Sequence, residues 1–414
     1  MVFYLISIFI KSFKMKIIFD SIIDNDFYKF TMQYAVTKLY PDVIARYKFI
    51  NRGKHEFPEG FAEKLQEQVN AMANLALTKD EKDFLARNCP YISPAYLDFL
   101  QGYRYDPTEV IISQDQNNIS VEVEGNWYRT ILWEVPLLSL ISELYYTSTN
   151  ANRIDNVAIT KNTGEKVDLY NKLGVTVADF GTRRRHSYEV HDVVVEELIN
   201  HSGKSFVGTS NVHLAHKYNV KPIGTHAHEW FMFHAARFGY KVANSMSLDR
   251  WVKVYYGDLG IALTDTYTSD IFFRQFDKKL SKLFDGVRHD SGDPIEFGNK
   301  VIAHYEKMGI NPMHKTIIFS DGLNSEKVEM ITNSFKGKIG LSFGIGTNLT
   351  NDVGLRPMNI VMKLTEISSY DIPWTGVVKL SDERNKHTGT EKDIHLAKEI
   401  LQLGEIKATD EVLQ

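Results

Sequence analysis

The sequence predicts an α/β protein in which a closed or nearly closed β/α barrel follows a mixed, β-rich N-terminal region. Two observations point there. From about residue 175, short apolar strands recur, each ending in small and polar residues and followed by helical sequence. Seven or eight such units over about 190 residues suit a barrel better than an open sheet. Before residue 150 there is no serial alternation of this kind.

The elements follow in order. "MVFYLISIFIKSFK" is apolar from Val2 to Ile10, with Lys11 and Lys14 after the run. A signal peptide places its charge before the apolar run, and a spanning helix needs about 20 residues. Residues 1–14 are therefore expected to be a start-site extension, with Met15 as the working start. A mixed α+β domain over 15–150 would hold a helix at 26–39 and a strand at "RYKFINRG". Charged helical sequence at 59–87 and a hairpin turning at Asn117-Asn118 would follow. "TILWEVPLLSLISELYY" reads as a buried helix begun near Pro136. The barrel domain (151–370) would take strands from the stretches 175–187, 205–211, 221–230, 260–267, 284–294, 316–324 and 340–348, with 358–367 as a possible eighth. Residues 371–414 would pack back on the N-terminal domain.

Bulk properties exclude some functions. The 414 residues carry 48 basic against 52 acidic side chains, so no nucleic-acid partner is expected, and no membrane segment is expected either. A single cysteine, Cys89, rules out an internal disulfide and a cysteine-based zinc site, and fits a cytoplasmic protein.

In a barrel the loops after the strands carry the chemistry, and here those loops hold the telling side chains. "DFGTRRRHS" sets Phe180 and three arginines, Arg183–Arg185, after a strand. It reads either as a solvated basic turn or as a fork for carboxylate or phosphate. "GVRHDSGDP" puts Arg288, Asp290 and Asp293 on one turn, suited to a sugar diol and a magnesium-bound phosphate, with a plain Asp-Gly turn as the alternative. "FSDGLN" adds Asp321. "FGIGTN" offers Gly344, Gly346 and Thr347, whose backbone N–H groups can approach a phosphate, helped by a following helix N-terminus. "HSGKSF" at 201–206 is not a P-loop, because Leu198 stands where the first glycine belongs and a strand follows it. "GTHAHEW" holds His226 and His228 two apart. They could be zinc ligands of a barrel hydrolase, but this pair follows the third strand, not the first.

Together "DNDFYKFTMQYAV", "ILWEVPLLSLISELY", "DFGTRRRHSYEV", "FVGTSNVHLA", "GTHAHEWF", "GIALTDTY", "RHDSGDP", "FSDGLN" and "LSFGIGTNLTND" resemble the nicotinate phosphoribosyltransferases of the bacterial ATP-linked type, in family order from about residue 20 to 380. The resemblance implies an irregular TIM-like α/β barrel with an N-terminal mixed domain, acting as a homodimer with composite sites. It implies that nicotinate and 5-phosphoribosyl-1-pyrophosphate (PRPP) give nicotinate mononucleotide and pyrophosphate, coupled to ATP, with Mg²⁺ on substrate phosphates and no protein-held metal. Phe180 would stack on the pyridine, and Tyr28 on its other face, coming with Asp26 from the partner subunit. Arg183 would hold the carboxylate or the product phosphate. Asp290 and Asp321 would bind ribose hydroxyls or the magnesium shell, Arg288 the pyrophosphate, and Gly344, Gly346 and Thr347 the 5′-phosphate. His228 matches the histidine phosphorylated by ATP, while His226 only frames the turn. Ser210, where nicotinamide-using relatives tend to carry an acidic residue, would favour the acid. The competing readings are a nicotinamide or quinolinate phosphoribosyltransferase, a zinc-dependent barrel hydrolase, and a binding protein with a decayed site.

Overall fold

The computed structural model describes residues 16–383 and 386–403; the 1–14 extension and the end of the C-terminal segment lie outside them. Its strands in chain order are β1 (Ile44–Asn51), β2 (Val110–Asp115), β3 (Asn118–Asn126), β4 (Thr176–Asp179), β5 (Phe206–Thr209), β6 (Ile261–Leu263), β7 (Gly286–His289), β8 (Thr316–Phe319), β9 (Gly340–Ile345), β10 (Ile360–Ser369) and β11 (Ile372–Gly376).

They form two sheets. The first is antiparallel, in the order β11-β10-β1-β3-β2. The hairpin expected at Asn117-Asn118 turns one residue earlier. Asp115 pairs with Asn118, leaving Gln116, at φ +51°, and Asn117 as the loop. A two-residue connection of this kind matches the twist of its strands. The 358–367 stretch is not an eighth barrel strand. As β10 it pairs antiparallel with the whole of β1, which buries Ile360, Met362 and Leu364.

The second sheet is parallel, in the order β5-β4-β9-β8-β7-β6. The 221–230 stretch, expected as a strand, makes one parallel bridge from Pro222 to Thr209. Proline has no N–H to carry a ladder further. Past it, His226 Nε2 accepts from the Leu263 N–H at 3.3 Å, so this extended segment spans the gap between β5 and β6. An α/β barrel of six strands and one irregular stave results. Among the described residues after 370, β11 and Val377, whose N–H donates to the Thr365 carbonyl at 3.0 Å, pack on the N-terminal sheet. Beyond them the chain crosses the barrel mouth, where the Leu380 N–H reaches the Thr266 carbonyl at 2.8 Å.

Buried ion pairs bind the two parts. The helix Phe27–Leu39 carries Lys29, fully buried, with Nζ 2.5 Å from Glu134 and 2.9 Å from Glu229. Glu134 opens the helix Glu134–Ser148, begun two residues before Pro136, and Glu229 sits in the first turn of the helix His228–Phe238. Burial opposes every charge here. Lys29 nevertheless holds the Glu134 carboxyl below its usual range, and Glu134 keeps Lys29 protonated. Lys29→Met leaves two carboxylates facing each other without a cation and should cost about 3–5 kcal/mol in urea unfolding, the range for breaking one side of a buried pair; a cost below about 1 kcal/mol would show that the triad binds nothing together.

Glu143, in the same helix as Glu134, accepts from the Tyr188 N–H at 3.0 Å, and burial pushes its carboxyl up to about 7. The native state therefore holds a proton that the unfolded chain releases above its usual value of 4.5. Stability contributed by this group is present below that value and is lost as pH rises through about 7. Glu143→Gln should be more stable than wild type by ~2 kcal/mol at pH 8.5, with no gain at pH 4. Thermal unfolding of both proteins at the two pH values reads the difference, and an equal gain at both would refute the assignment.

Candidate active site

A cavity of about 970 Å³ opens at the strand C-terminal ends of the barrel. Of the residues singled out in the sequence, Asp26, Tyr28, Phe180, Arg183, His228, Arg288, Asp290, Gly344, Gly346 and Thr347 all line it. Local chemistry sets each of them. Asp179 ends β4 and accepts from the Gly181 N–H at 2.8 Å, fixing the turn that carries Phe180. Gly344 lets that ring seat, since a Cβ there would lie 3.1 Å from it. Gly224 does the same for Tyr28, whose backbone nitrogen would be 2.8 Å from a Cβ. Thr347 begins the helix expected behind the phosphate loop, which runs for four residues, Thr347–Thr350.

The three arginines divide. Arg185 is fully buried and grips Asp24 with both terminal nitrogens, at 2.7 and 2.8 Å, so it is a clamp and no ligand of the cavity. Arg183 and Arg184 face the cavity. Arg183 meets Glu134 only at 4.0 Å, leaving its donors free. Burial and then the neighbouring Arg183 lower Arg184 to about 9. Lys363 on β10 falls to about 7, through burial and then Lys379. Crowded cations of this kind mark a place meant for an anion.

Asp26 and Tyr28 line the cavity of their own chain, where the Phe27 N–H donates to the Ser210 carbonyl at 2.7 Å and Asp26 bridges Asn211. Three other expected site residues are placed differently. Ser210 is not in the cavity wall. It is fully buried behind Asp26, to which its hydroxyl donates at 2.6 Å. Asp321 also stands outside the lining, held by Lys386 at 2.6 Å. Asp293 is a helix cap, accepting from the Ile295 and Glu296 N–H groups at 2.8 Å.

The H-x-H pair splits. His226 is fully buried, edge-on to Trp251, and its carbonyl accepts from Arg288 at 3.2 Å. His228, the first residue of its helix, faces the mouth. Its Nδ1 lies 3.0 Å from Thr266 Oγ1, and its Nε2 lies 2.9 Å from both Asp290 Oδ2 and Lys379 Nζ. Asp265 Oδ1 is 3.6 Å from the same nitrogen. Among the described residues, His228, Asp265 and Asp290 are the one group with metal-ligand spacing. The Lys379 ammonium, also 3.3 Å from Asp265, already fills that position, so the residues do not fit a zinc centre. Burial first, then Lys379, push His228 down to about 4, which makes it a neutral imidazole.

Sequence reasoning missed Lys379, Asp265, Lys363 and Lys386. Asp265 stood in the quoted "GIALTDTY", at a strand end, and was readable from position alone. The lysines lie beyond the last barrel strand, in sequence with no motif.

Residues 175–405 match the nicotinate phosphoribosyltransferase (NAPRTase) family, and residues 23–142 match its N-terminal domain. The chain belongs to the nicotinate phosphoribosyltransferase family. It is 59% identical to the nicotinate phosphoribosyltransferase of Chromohalobacter salexigens over 93% of this chain and 98% of that one. With that of Desulforapulum autotrophicum the identity is 48%, over 93% and 99%. The crystal structure of nicotinate phosphoribosyltransferase from Porphyromonas gingivalis superposes with a TM-score of 0.91 at 47% identity, covering 93% of this chain and all of that one. Family membership agrees with the α/β barrel and N-terminal domain described above. Among the described residues no helix is long and apolar enough to cross a membrane.

Lys379 accounts for a testable part of this site. Lys379→Met should raise the His228 pKa from about 4 by about one unit or more, because it deletes the cation facing Nε2 and leaves both carboxylates. The pH dependence of diethyl pyrocarbonate modification of His228, read by mass spectrometry, measures it; an unmoved midpoint would rule out the cation as a cause.

Proposed function

We propose that this chain transfers the 5-phosphoribosyl group of PRPP to the ring nitrogen of nicotinate, releasing pyrophosphate. One observation carries the reading: a single cavity joins an aromatic pair, Phe180 and Tyr28, to a free arginine, Arg183, and to a Gly-rich turn at Gly344–Thr347. The aromatic faces take a flat ring, the guanidinium takes its carboxylate, and the turn takes a phosphate. The pyridine nitrogen attacks the anomeric carbon as the C–O bond to pyrophosphate breaks, and Arg288 with Arg184 balances the charge that leaves.

Nicotinate is favoured over nicotinamide by charge. Arg183 attracts a carboxylate, and Ser210 holds Asp26 by a hydrogen bond that an acidic residue at that position could not donate. Mg²⁺ travels with the substrate phosphates, and Asp290, the partly exposed carboxylate at the mouth, would meet its hydration shell.

ATP drives the cycle through His228. With Nδ1–H donating to Thr266 Oγ1, Nε2 carries the lone pair, which accepts from Lys379 at rest; when that ammonium turns to the phosphate, Nε2 attacks the γ-phosphorus and the bond to the departing ADP oxygen breaks. Nicotinate, PRPP and γ-labelled ATP test both parts. Wild type should form nicotinate mononucleotide, with kcat/KM for nicotinate at least about tenfold above nicotinamide. It should also carry acid-labile, base-stable label that is absent from His228→Asn. Product without label would remove the phosphohistidine, and comparable rates with both pyridines would remove the Arg183 and Ser210 argument.

A further inference from the structure

The interior of a β/α barrel is ordinarily a packed core, and here it is hollow. Val207, Ile261, Ile318 and Ser342 all line the cavity, and each is only partly buried. Their strand neighbours Ala262 and Ile317, and Val287 beside Arg288 on β7, do not line it and are fully buried. Exposure therefore follows the inward face of the strands. The same cavity continues past the strand starts to Lys221, Asp258 and Asp285, which are exposed at the far end of the barrel. It thus spans the barrel from the mouth at His228 and Thr347 to a second opening.

We infer that this hollow is a passage by which the pyridine substrate reaches its site from the far end of the barrel while the front is closed. The inference rests on the nicotinate reading above. The ring site at Phe180 lies between the phosphate turn and the hollow. Once a phosphorylated sugar diphosphate fills the front, under the segment that brings Lys379 over the mouth, sheet walls close the sides. A small planar acid can then come and go only along the axis. The walls suit it: they are apolar at Val207, Ile223, Ile261 and Ile318, surfaces along which a flat ring can slide. The rim mixes Lys221 with Asp258 and Asp285, so it does not select for charge. Selection is left to Arg183 at the inner end.

The test uses engineered thiols at the rim. Cys89 is the sole cysteine of the sequence and is fully buried, so Lys221→Cys or Asp285→Cys can be labelled alone with a bulky maleimide. Before labelling, both variants should match wild type. After labelling, kcat/KM for nicotinate at saturating PRPP should fall by about fivefold or more. The KM for PRPP and the equilibrium Kd of nicotinate for enzyme without PRPP, when the front is open, should stay within about twofold. Ile318→Trp, a plug inside the barrel, should behave as the labelled proteins do. Labelled enzyme with undiminished kcat/KM overturns the passage. So does a parallel loss of Kd without PRPP, which would make these residues a pocket wall. If unmodified wild type makes no nicotinate mononucleotide at all, the functional reading has failed and the passage loses its substrate; active wild type with indifferent plugs rejects the passage alone.

Discussion

The site depends on one buried ammonium. Lys29 has no solvent and two carboxylates, and those carboxylates begin two helices from distant parts of the chain. One helix carries His228 as its first residue; the other places Glu134 beside Arg183. The helix bearing Lys29 itself begins one residue after Asp26 and holds Tyr28. The aromatic, cationic and imidazole parts of the cavity are therefore referred to a common point. A buried triad of this sort adds little net stability compared with apolar packing. Its value is geometric, because a misplaced helix would strand a charge in a medium that cannot solvate it. The Arg185–Asp24 clamp repeats the device on the other side of Phe180.

Around that frame the mouth of the cavity is arranged so that charges are shared. Nε2 of His228 has a carboxylate and an ammonium at equal distance, and a second carboxylate slightly farther away. The imidazole stays neutral because burial and Lys379 outweigh the two acids. The phosphoryl-accepting role proposed for His228 needs that neutral state.

Most of the cavity was legible in the sequence, because barrel loops keep their chemistry local. Phe180 and Arg183 share one turn, Arg288 and Asp290 another, and Gly344 to Thr347 a third, so position after a strand was enough. What was not legible depends on contacts between distant residues. Lys29 lies in "FYKFTMQYAV" with the look of a surface lysine, and its partners are more than 100 positions away. "MNIVMKLTEI" has the apolar density of a barrel strand, and only its pairing with β1 assigns it to the other sheet. Ser210 was rightly placed at a strand end, yet a fully buried hydroxyl and a wall-lining one look alike in sequence. Arg185 and Arg183 likewise differ in role by nothing that the run of three arginines displays.

The pairing of β10 with β1 also has a consequence for how the protein is made. β1 sits inside its sheet, between β3 and β10. Its first neighbour leaves the ribosome by residue 126, whereas the second begins only at residue 360. At about 5–20 residues per second the interval is roughly 10–50 s. Through that time the N-terminal sheet presents one bare edge of backbone donors and acceptors, while the whole barrel is being synthesised beside it. Such an edge invites pairing with other strands. The nascent chain of this protein is thus most vulnerable during elongation, and the last strands to emerge are the ones that seal the first domain made.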